Sequence, residues 1–498
     1  MNLSHILDGA TMIRNYRTSS KPRKHGAITR LWLEKPVLRA GRFVAGAGII
    51  VQTCADHVHI RAAMKIEVAS HIVHHKKGEP ILDLANTDID KVLGIGVKID
   101  IVVKPGELYV YREMTFEMNF TGQRPEFCSH SLKKYRLLSL FCGIGGLTTA
   151  FVNTGACESA LGLDIDEVAN NPFDWEGKGK DPSYRAYSIE TFQLNYPDSL
   201  VYWGDLKSIN NLYVPKCDIA LISAPCVEYS LLGGRIEGLL EHFVPHMVRV
   251  LRQAGVRAIF IENVPQYFNS DTYHSFVSLL QMDFPYVYHQ KIDSYDYGSI
   301  DHRIRGYSVL LSDKSEFSFP EPIKTPTSRR KRLKDYLSST KDRTWIDIEG
   351  STMGYFYNQH HQQYSETGFT AAKNKKLLVT ENAVEIACIT KGYGKIQSNQ
   401  SYLLDKDQKR FSKFTPQEIL NILGYPGWFK FVDGCSNTRQ YELLGNSVNV
   451  RPIEAIASRV VTALMEIDIR HQSKSSFKVK ETSVYEVNAD GQIAFVIN

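Results

Sequence analysis

From Tyr135 onward the chain repeats one pattern, an apolar β-favouring run followed by a helical stretch, and nothing else in it constrains the fold as tightly. RLLSLF reads as a buried strand, GGLTTAFVNTG as a helix and ALGLDI as the next strand; CDIALIS, the helix EGLLEHFVPHMVRVLRQAG and the strand AIFIENV follow. Strands separated by helices pair in parallel, with helices on both faces of the sheet. The expected class is therefore α/β, Rossmann-like, with this domain spanning residues 134–313.

The remaining segments attach to that domain. Residues 1–25 are mostly polar, basic towards their end, and are expected as a flexible arm. Residues 26–130 hold two similar units, Leu31–Ala62 and Ile81–Glu113. Each reads as a short strand, an amphipathic turn ending in glycine, and two alternating strands. IIVQT should pair with HVHIRA, and KIDIVV with ELYVYRE across Lys104-Pro105-Gly106. Units too small to bury their own apolar faces should pack into one barrel. This pair resembles the swapped-hairpin barrels of AbrB-like regulators, which implies a β-rich module able to bind DNA. Residues 314–405, rich in Lys, Ser, Thr, Gln and Tyr, read as a smaller separate domain. Helical signals return over 406–470: TPQEILNIL has a Thr415 cap with Glu418 three residues on, and RPIEAIASRVVTALMEI carries proline in its first turn. Residues 471–498 form a polar tail.

Composition sets outer limits. Hydrophobic content of 43% and charged content of 23% describe an ordinary globular chain. No apolar run is long enough to span a bilayer and the first residues lack a signal peptide's apolar centre, so a cytoplasmic location is expected. The eight cysteines contain no CxxC pair, which suggests neither a metal site nor a disulfide framework. A net charge of +5 argues weakly for a polyanionic partner. The run SRRKRLK, Ser328–Lys334, argues more, although such a run is often only a solvated face.

The chemistry gathers at strand ends. In LLSLFCGIGGLTTAF, Gly143, Gly145 and Gly146 fall between strand and helix, where a ligand can approach the backbone. The next strand ends at Asp164, about twenty residues on, where an acid can accept from ribose hydroxyls. A third ends in WGDL, giving Asp205, suited to an exocyclic adenine amine. An adenosyl-containing cofactor is the reading these three ends support. The fourth strand ends in SAPC, presenting Cys226; buried cysteines usually fill space, but this one lies on the ligand-binding side of the sheet. The fifth ends in IENV, bringing Glu262 to the same edge, where an acid beside a nucleophile can protonate a ring under attack. Arg303 and Arg305 stand two apart and share a strand face.

The order FCGIGG, GDL, APC, ENV, RIR, TPQE, LLGNSV resembles the DNA (cytosine-5) methyltransferase family from Lys134 to Leu464. The resemblance implies a Rossmann-like fold using S-adenosyl-L-methionine, with Cys226 adding to cytosine C6, Glu262 at N3, Arg303 near the base O2 and Arg305 supporting through ion pairs near Glu262. It also implies that Phe141, Gly143, Gly145, Gly146, Asp164, Ile165, Asp205, Leu206, Pro225, Asn446, Ser447 and Val448 line the cofactor. Residues 314–405 stand where the family keeps its target-recognition domain, and 406–470 complete the catalytic domain. Double-stranded DNA is the implied partner, with the base swung out of the stack. A monomer is expected, and whether a restriction endonuclease accompanies it is left open.

Several positions depart from the family pattern: Ser223, Ala224 and Val227 around the cysteine, Asp301 and Leu443 where glutamine is usual, and Ile165 where an aromatic often stacks on adenine. An additional stretch over residues 170–187 offers Trp175 as a substitute stacker. An RNA cytosine methyltransferase and a non-catalytic DNA-binding regulator are the alternatives.

Overall fold

The computed structural model describes residues 7–23, 26–64, 66–76, 78–113, 134–165, 186–225, 240–323, 325–338, 343–356, 376–405, 407, 409–478, 485–487 and 493–495. After β1 (Met12–Arg17) and β2 (Ser19–Arg23), the first N-terminal unit comprises β3 (Gly26–Leu33), α1 (Lys35–Ala40), β4 (Gly48–Thr53) and β5 (His57–Ala62). Short strands β6 (His71–Ile72) and β7 (His74–Lys76) lead to the second unit: β8 (Glu79–Leu84), α2 (Thr87–Leu93), β9 (Lys98–Lys104) and β10 (Glu107–Arg112). Both expected hairpins form, with Val51 opposite Ile60 and Val102 opposite Tyr109. The units then pair with each other, β3 with β8 and β5 with β10. Leu31, Val58 and Ile60 of one share a core with Leu82, Ile101 and Val110 of the other, so each covers an apolar face its neighbour could not bury alone.

The α/β part begins with β11 (Tyr135–Leu140), α3 (Gly146–Val152), β12 (Cys157–Asp164), α4 (Tyr187–Asn195) and β13 (Leu200–Trp203). It continues with β14 (Ile219–Ile222), α5 (Val244–Ala254), β15 (Ala258–Asn263), α6 (Asp271–Leu280) and the antiparallel pair β16 (Tyr286–Asp293) and β17 (Ile304–Leu311). β11 pairs in parallel with both β12 and β14, so the chain reverses its direction of travel across the sheet beside β11. Ligands of open α/β sheets bind at such a reversal. Alternate residues explain the continuous apolar runs. Leu137, Leu221 and Phe260 face one core with Phe151 and Ile456, while Leu138, Ile222 and Ile261 face the other with Val248 and Phe276.

A small sheet of β18 (Ile346–Asp347), β19 (Leu378–Val379), β20 (Tyr402–Leu404) and β21 (Arg410–Ser412) precedes α7 (Pro416–Leu423), α8 (Asn437–Asn446) and α9 (Val450–Lys478). The capping box forms as read: Thr415 Oγ1 accepts from Glu418 N, and Glu418 Oε2 accepts from Thr415 N at 2.8 Å. The other oxygen of this buried carboxyl takes the guanidinium of Arg343. Among the described residues, no helix is long and apolar enough to cross a membrane.

Residues 12–17, expected within a flexible arm, instead form β1. It pairs in parallel with β13 and antiparallel with β9, and Met12 and Ile13 are fully buried on opposite faces. The N-terminal strands therefore do not close into a barrel standing apart. β1 joins β9, β10, β5, β4 and β6 to the α/β part in one sheet, in the order β16-β17-β15-β14-β11-β12-β13-β1-β9-β10-β5-β4-β6, while β2, β3, β8 and β7 form a second sheet.

Asp100 lies at this junction, fully buried, with Asn15 Nδ2 donating to it at 2.9 Å. Burial, reinforced by the nearby negative charge of Glu113, pushes its carboxyl up to about 7. The native state thus keeps a proton that the unfolded chain releases near pH 4. This stabilisation is complete below that pH and is lost as pH rises towards 7. Asp100→Asn should raise the urea unfolding free energy at pH 8 and flatten its fall between pH 4 and 7, by an amount on the order of a few kcal/mol; an unchanged fall would show that Asp100 is not its source.

Candidate active site

The glycine loop leaves β11 through Phe141, a non-glycine residue with φ of 56°. Gly143 follows at φ 53°, and its N–H donates to Asp164 Oδ2 at 2.8 Å, locking the loop to the end of β12. Among the described residues, a side chain on Gly143 would meet only Ser188 Oγ, 4.0 Å away. Gly145 is the N-cap of α3 and Gly146 its first residue. A Cβ on Gly146 would come within 2.6 Å of Tyr425 Oη, 2.7 Å of Val448 Cγ2 and 2.8 Å of Ser447 Oγ. The C-terminal segment is seated directly on the loop, and Tyr425 and Ser447 are hydrogen-bonded to each other there. Asn446 ends α8 and is exposed, whereas Ser447 and Val448 are buried.

The acids stand at neighbouring strand ends. The Asp164 carbonyl accepts from Gly204 N at 3.0 Å, and the Ile165 carbonyl from Trp203 Nε1 at 3.0 Å. Asp205 caps the turn after β13, accepting from Lys207 N at 2.9 Å with Lys207 Nζ at 3.4 Å. Leu206 is buried in the apolar core. Phe141 meets the edge of Phe243, ring centroids 5.7 Å apart and planes at 90°. Phe243, just before α5, was missed in the sequence because only the fold brings it to the loop; Trp175 lies outside the described residues.

Glu262 ends β15, and both its oxygens are engaged. Oε1 lies 3.2 Å from Arg305 Nε and Oε2 accepts from Ser223 Oγ at 2.9 Å. Ser223, visible in the sequence only as a departure, is thus a partner of the buried acid. Next to it Asn263 Nδ2 donates to the Ala224 carbonyl at 3.1 Å, tying β15 to the segment that runs through Pro225 towards Cys226. Cys226 and Val227 lie outside the described residues.

The two arginines are placed differently. Arg305 makes the expected ion pair with Glu262. Arg303 is buried: Nη1 donates to the Ile389 carbonyl at 2.9 Å and lies 3.6 Å from Cys388 Sγ, and Nη2 donates to the carbonyls of Gly445, at 3.2 Å, and Ser447. Asp301, two residues earlier, is fully buried and accepts from Ser299 Oγ and from Asn449 Nδ2 at 2.7 Å. Burial raises its carboxyl above the ordinary range.

The basic run is partly committed within the molecule. Arg330 stacks 3.7 Å over the Tyr295 ring and donates to its carbonyl, and Leu333 is buried; Arg329, Lys331, Arg332 and Lys334 are exposed. Most of YFYNQHHQQY lies outside the described residues.

The family model described as C-5 cytosine-specific DNA methylase matches residues 135–462. Type II methyltransferase M1.ScrFI of Lactococcus lactis subsp. cremoris is 24% identical over 348 residues, covering 68% of this chain and 81% of that protein. Type II methyltransferase M.HhaI of Haemophilus parahaemolyticus is 22% identical over 351 residues, covering 68% and 98%. Among solved structures, the S. pombe Dnmt2 methyltransferase aligns over 66% of this chain and 99% of its own, with 19% identity and a TM-score of 0.48. The chain belongs to the C-5 cytosine-specific DNA methylase family. It is a DNA cytosine-5 methyltransferase, and the family implies S-adenosylmethionine as methyl donor.

Gly146→Ala should displace Tyr425 and Ser447 and cost about 1–3 kcal/mol in the urea unfolding free energy; a wild-type value would mean that the C-terminal segment is not held against the loop.

Proposed function

We propose that this protein methylates C5 of a cytosine swung out of duplex DNA at a defined sequence, through a transient bond from Cys226 to C6. The single observation behind this reading is the buried carboxyl of Glu262, fixed from one side by Arg305 and from the other by Ser223, on the strand end that also holds the backbone leading to Cys226.

Cytosine C5 is a poor nucleophile until an electron pair is delivered to the ring. The Cys226 thiolate adds to C6, Glu262 hydrogen-bonds or protonates N3, and C5 gains enamine character. When bound, the cofactor supplies a methyl group on a sulfonium for C5 to accept. Loss of the C5 proton to a base and cleavage of the sulfur–C6 bond then restore the aromatic ring and the thiol. Arg305 orients Glu262. Arg305 thus keeps the supporting role expected from sequence, whereas Arg303, whose guanidinium is occupied by main-chain carbonyls, holds the protein frame instead of the base O2.

The residues present fit the cofactor. Among the described residues, a side chain on Gly143 would meet only Ser188 Oγ; Asp164 and Asp205 stand at adjacent strand ends for ribose and adenine, and Phe141 with Phe243 offers an apolar surface where Ile165 gives no stacking ring. Pro225, Asn446, Ser447 and Val448 complete the lining. Exposed Arg329, Lys331, Arg332 and Lys334 suit phosphate contacts, in the segment proposed for target recognition.

Transfer of tritiated methyl groups should label duplex DNA, with bisulfite sequencing reporting one recurring context. Cys226→Ala should abolish labelling, and Glu262→Gln should lower kcat by about 10²–10⁴. Label only on RNA, or undiminished transfer by Cys226→Ala, would overturn the reading.

A further inference from the structure

We infer that the N-terminal β-module is a built-in brace of the cofactor corner, and that Arg14 is a positioning residue acting on it through Trp203. The inference rests on the proposed reading that Asp164 and Asp205 hold the cofactor.

Without β1, the strand that leads to Asp205 would be the edge of its sheet. β13 is only four residues long, and a short edge strand leaves one row of backbone groups unpaired. β1 covers that edge in parallel register, with Arg14 beside Trp203. The Arg14 guanidinium lies 3.7 Å over the Trp203 ring, and its Nη1 donates to the Trp203 carbonyl at 3.2 Å. Held flat under this cation, the indole points its N–H at the Ile165 carbonyl, 3.0 Å away. Ile165 follows Asp164, whose Oδ2 in turn fixes Gly143. One chain of contacts therefore runs from the N-terminal module to the ribose acid and the glycine loop.

Other contacts act on the same corner from the module. Asn15 packs over Gly204, with its Cβ 2.6 Å from where a Gly204 Cβ would fall, leaving room only for glycine before Asp205. Lys98 of β9 donates to Ser208 Oγ at 3.0 Å in the turn that Asp205 caps. Contacts placed on both faces and beyond the end of β13 are what a brace requires. A tethered DNA-binding unit would need none of them.

The test uses the full chain, with S-adenosylmethionine affinity measured by titration calorimetry and duplex DNA affinity by fluorescence anisotropy, both well below the unfolding midpoint. Arg14→Leu removes the cation and the donor. Trp203→Phe keeps an aromatic ring under Arg14 and removes the indole N–H together with the fused second ring. Each should raise the cofactor Kd about three- to tenfold, with DNA Kd within about twofold of wild type, because one buried hydrogen bond or cation–π contact is at stake. Asp164→Ala, measured alongside, should weaken the cofactor at least about tenfold. If Asp164→Ala binds the cofactor like wild type, the reading of the site fails. If it loses affinity while Arg14→Leu and Trp203→Phe keep the wild-type cofactor Kd, or lose DNA affinity instead, the brace is overturned. Should Arg14→Leu fail to fold, Trp203→Phe decides alone.

Discussion

The buried guanidinium of Arg303 must find acceptors inside the protein, because an unpaired interior charge costs several kcal/mol or more. Its acceptors are the Cys388 thiol sulfur and the Ile389 carbonyl from one segment, and the Gly445 and Ser447 carbonyls from another far along the chain. Satisfying this one charge draws the irregular segment before α7 and the end of α8 to the start of β17. Ser447 and Val448 then fall against Gly146, and the glycine loop is closed from the C-terminal side. Arg305, two residues on, turns its charge to Glu262 instead. One arginine assembles the frame and its neighbour orients the acid.

On the opposite flank, β1 performs a comparable task for the sheet. By pairing with β13 and β9 at once, it makes the hairpins of the N-terminal units, β9–β10 and β4–β5, a continuation of the α/β sheet. The polar junction this creates contains a buried carboxyl, Asp100, whose ionisation is unfavourable there.

Local patterns were legible where they carried their own explanation. Continuous apolar runs gave β11, β14 and β15, alternation with a Pro-Gly turn gave β9 and β10, and Thr415 with Glu418 gave the start of α7. Residues at the ends of parallel strands could be expected at one edge, and Asp164, Asp205 and Glu262 stand at or just beyond the ends of β12, β13 and β15. What failed depended on distant partners. MIRNYR alternates too weakly to announce a strand, and its partner β13 lies nearly two hundred residues on. Arg305 meets Glu262 as expected, but nothing near Arg303 in sequence shows that its guanidinium turns to the carbonyls of Ile389, Gly445 and Ser447. Phe243 and the Ser223 hydroxyl acquire meaning only from what the fold places beside them.

The account's central claim is that the thiol of Cys226 bonds to a cytosine steadied by Glu262. The most direct measurement is mass spectrometry of the protein after incubation with S-adenosylmethionine and duplex DNA carrying 5-fluorocytosine at its methylation site. Fluorine at C5 cannot leave as a proton does, so the adduct cannot resolve. The account predicts a covalent protein–DNA species whose peptide map places the linkage on Cys226. Methylation of ordinary cytosine by the same preparation, with no trapped species on the fluorinated DNA or a linkage on another residue, would contradict it.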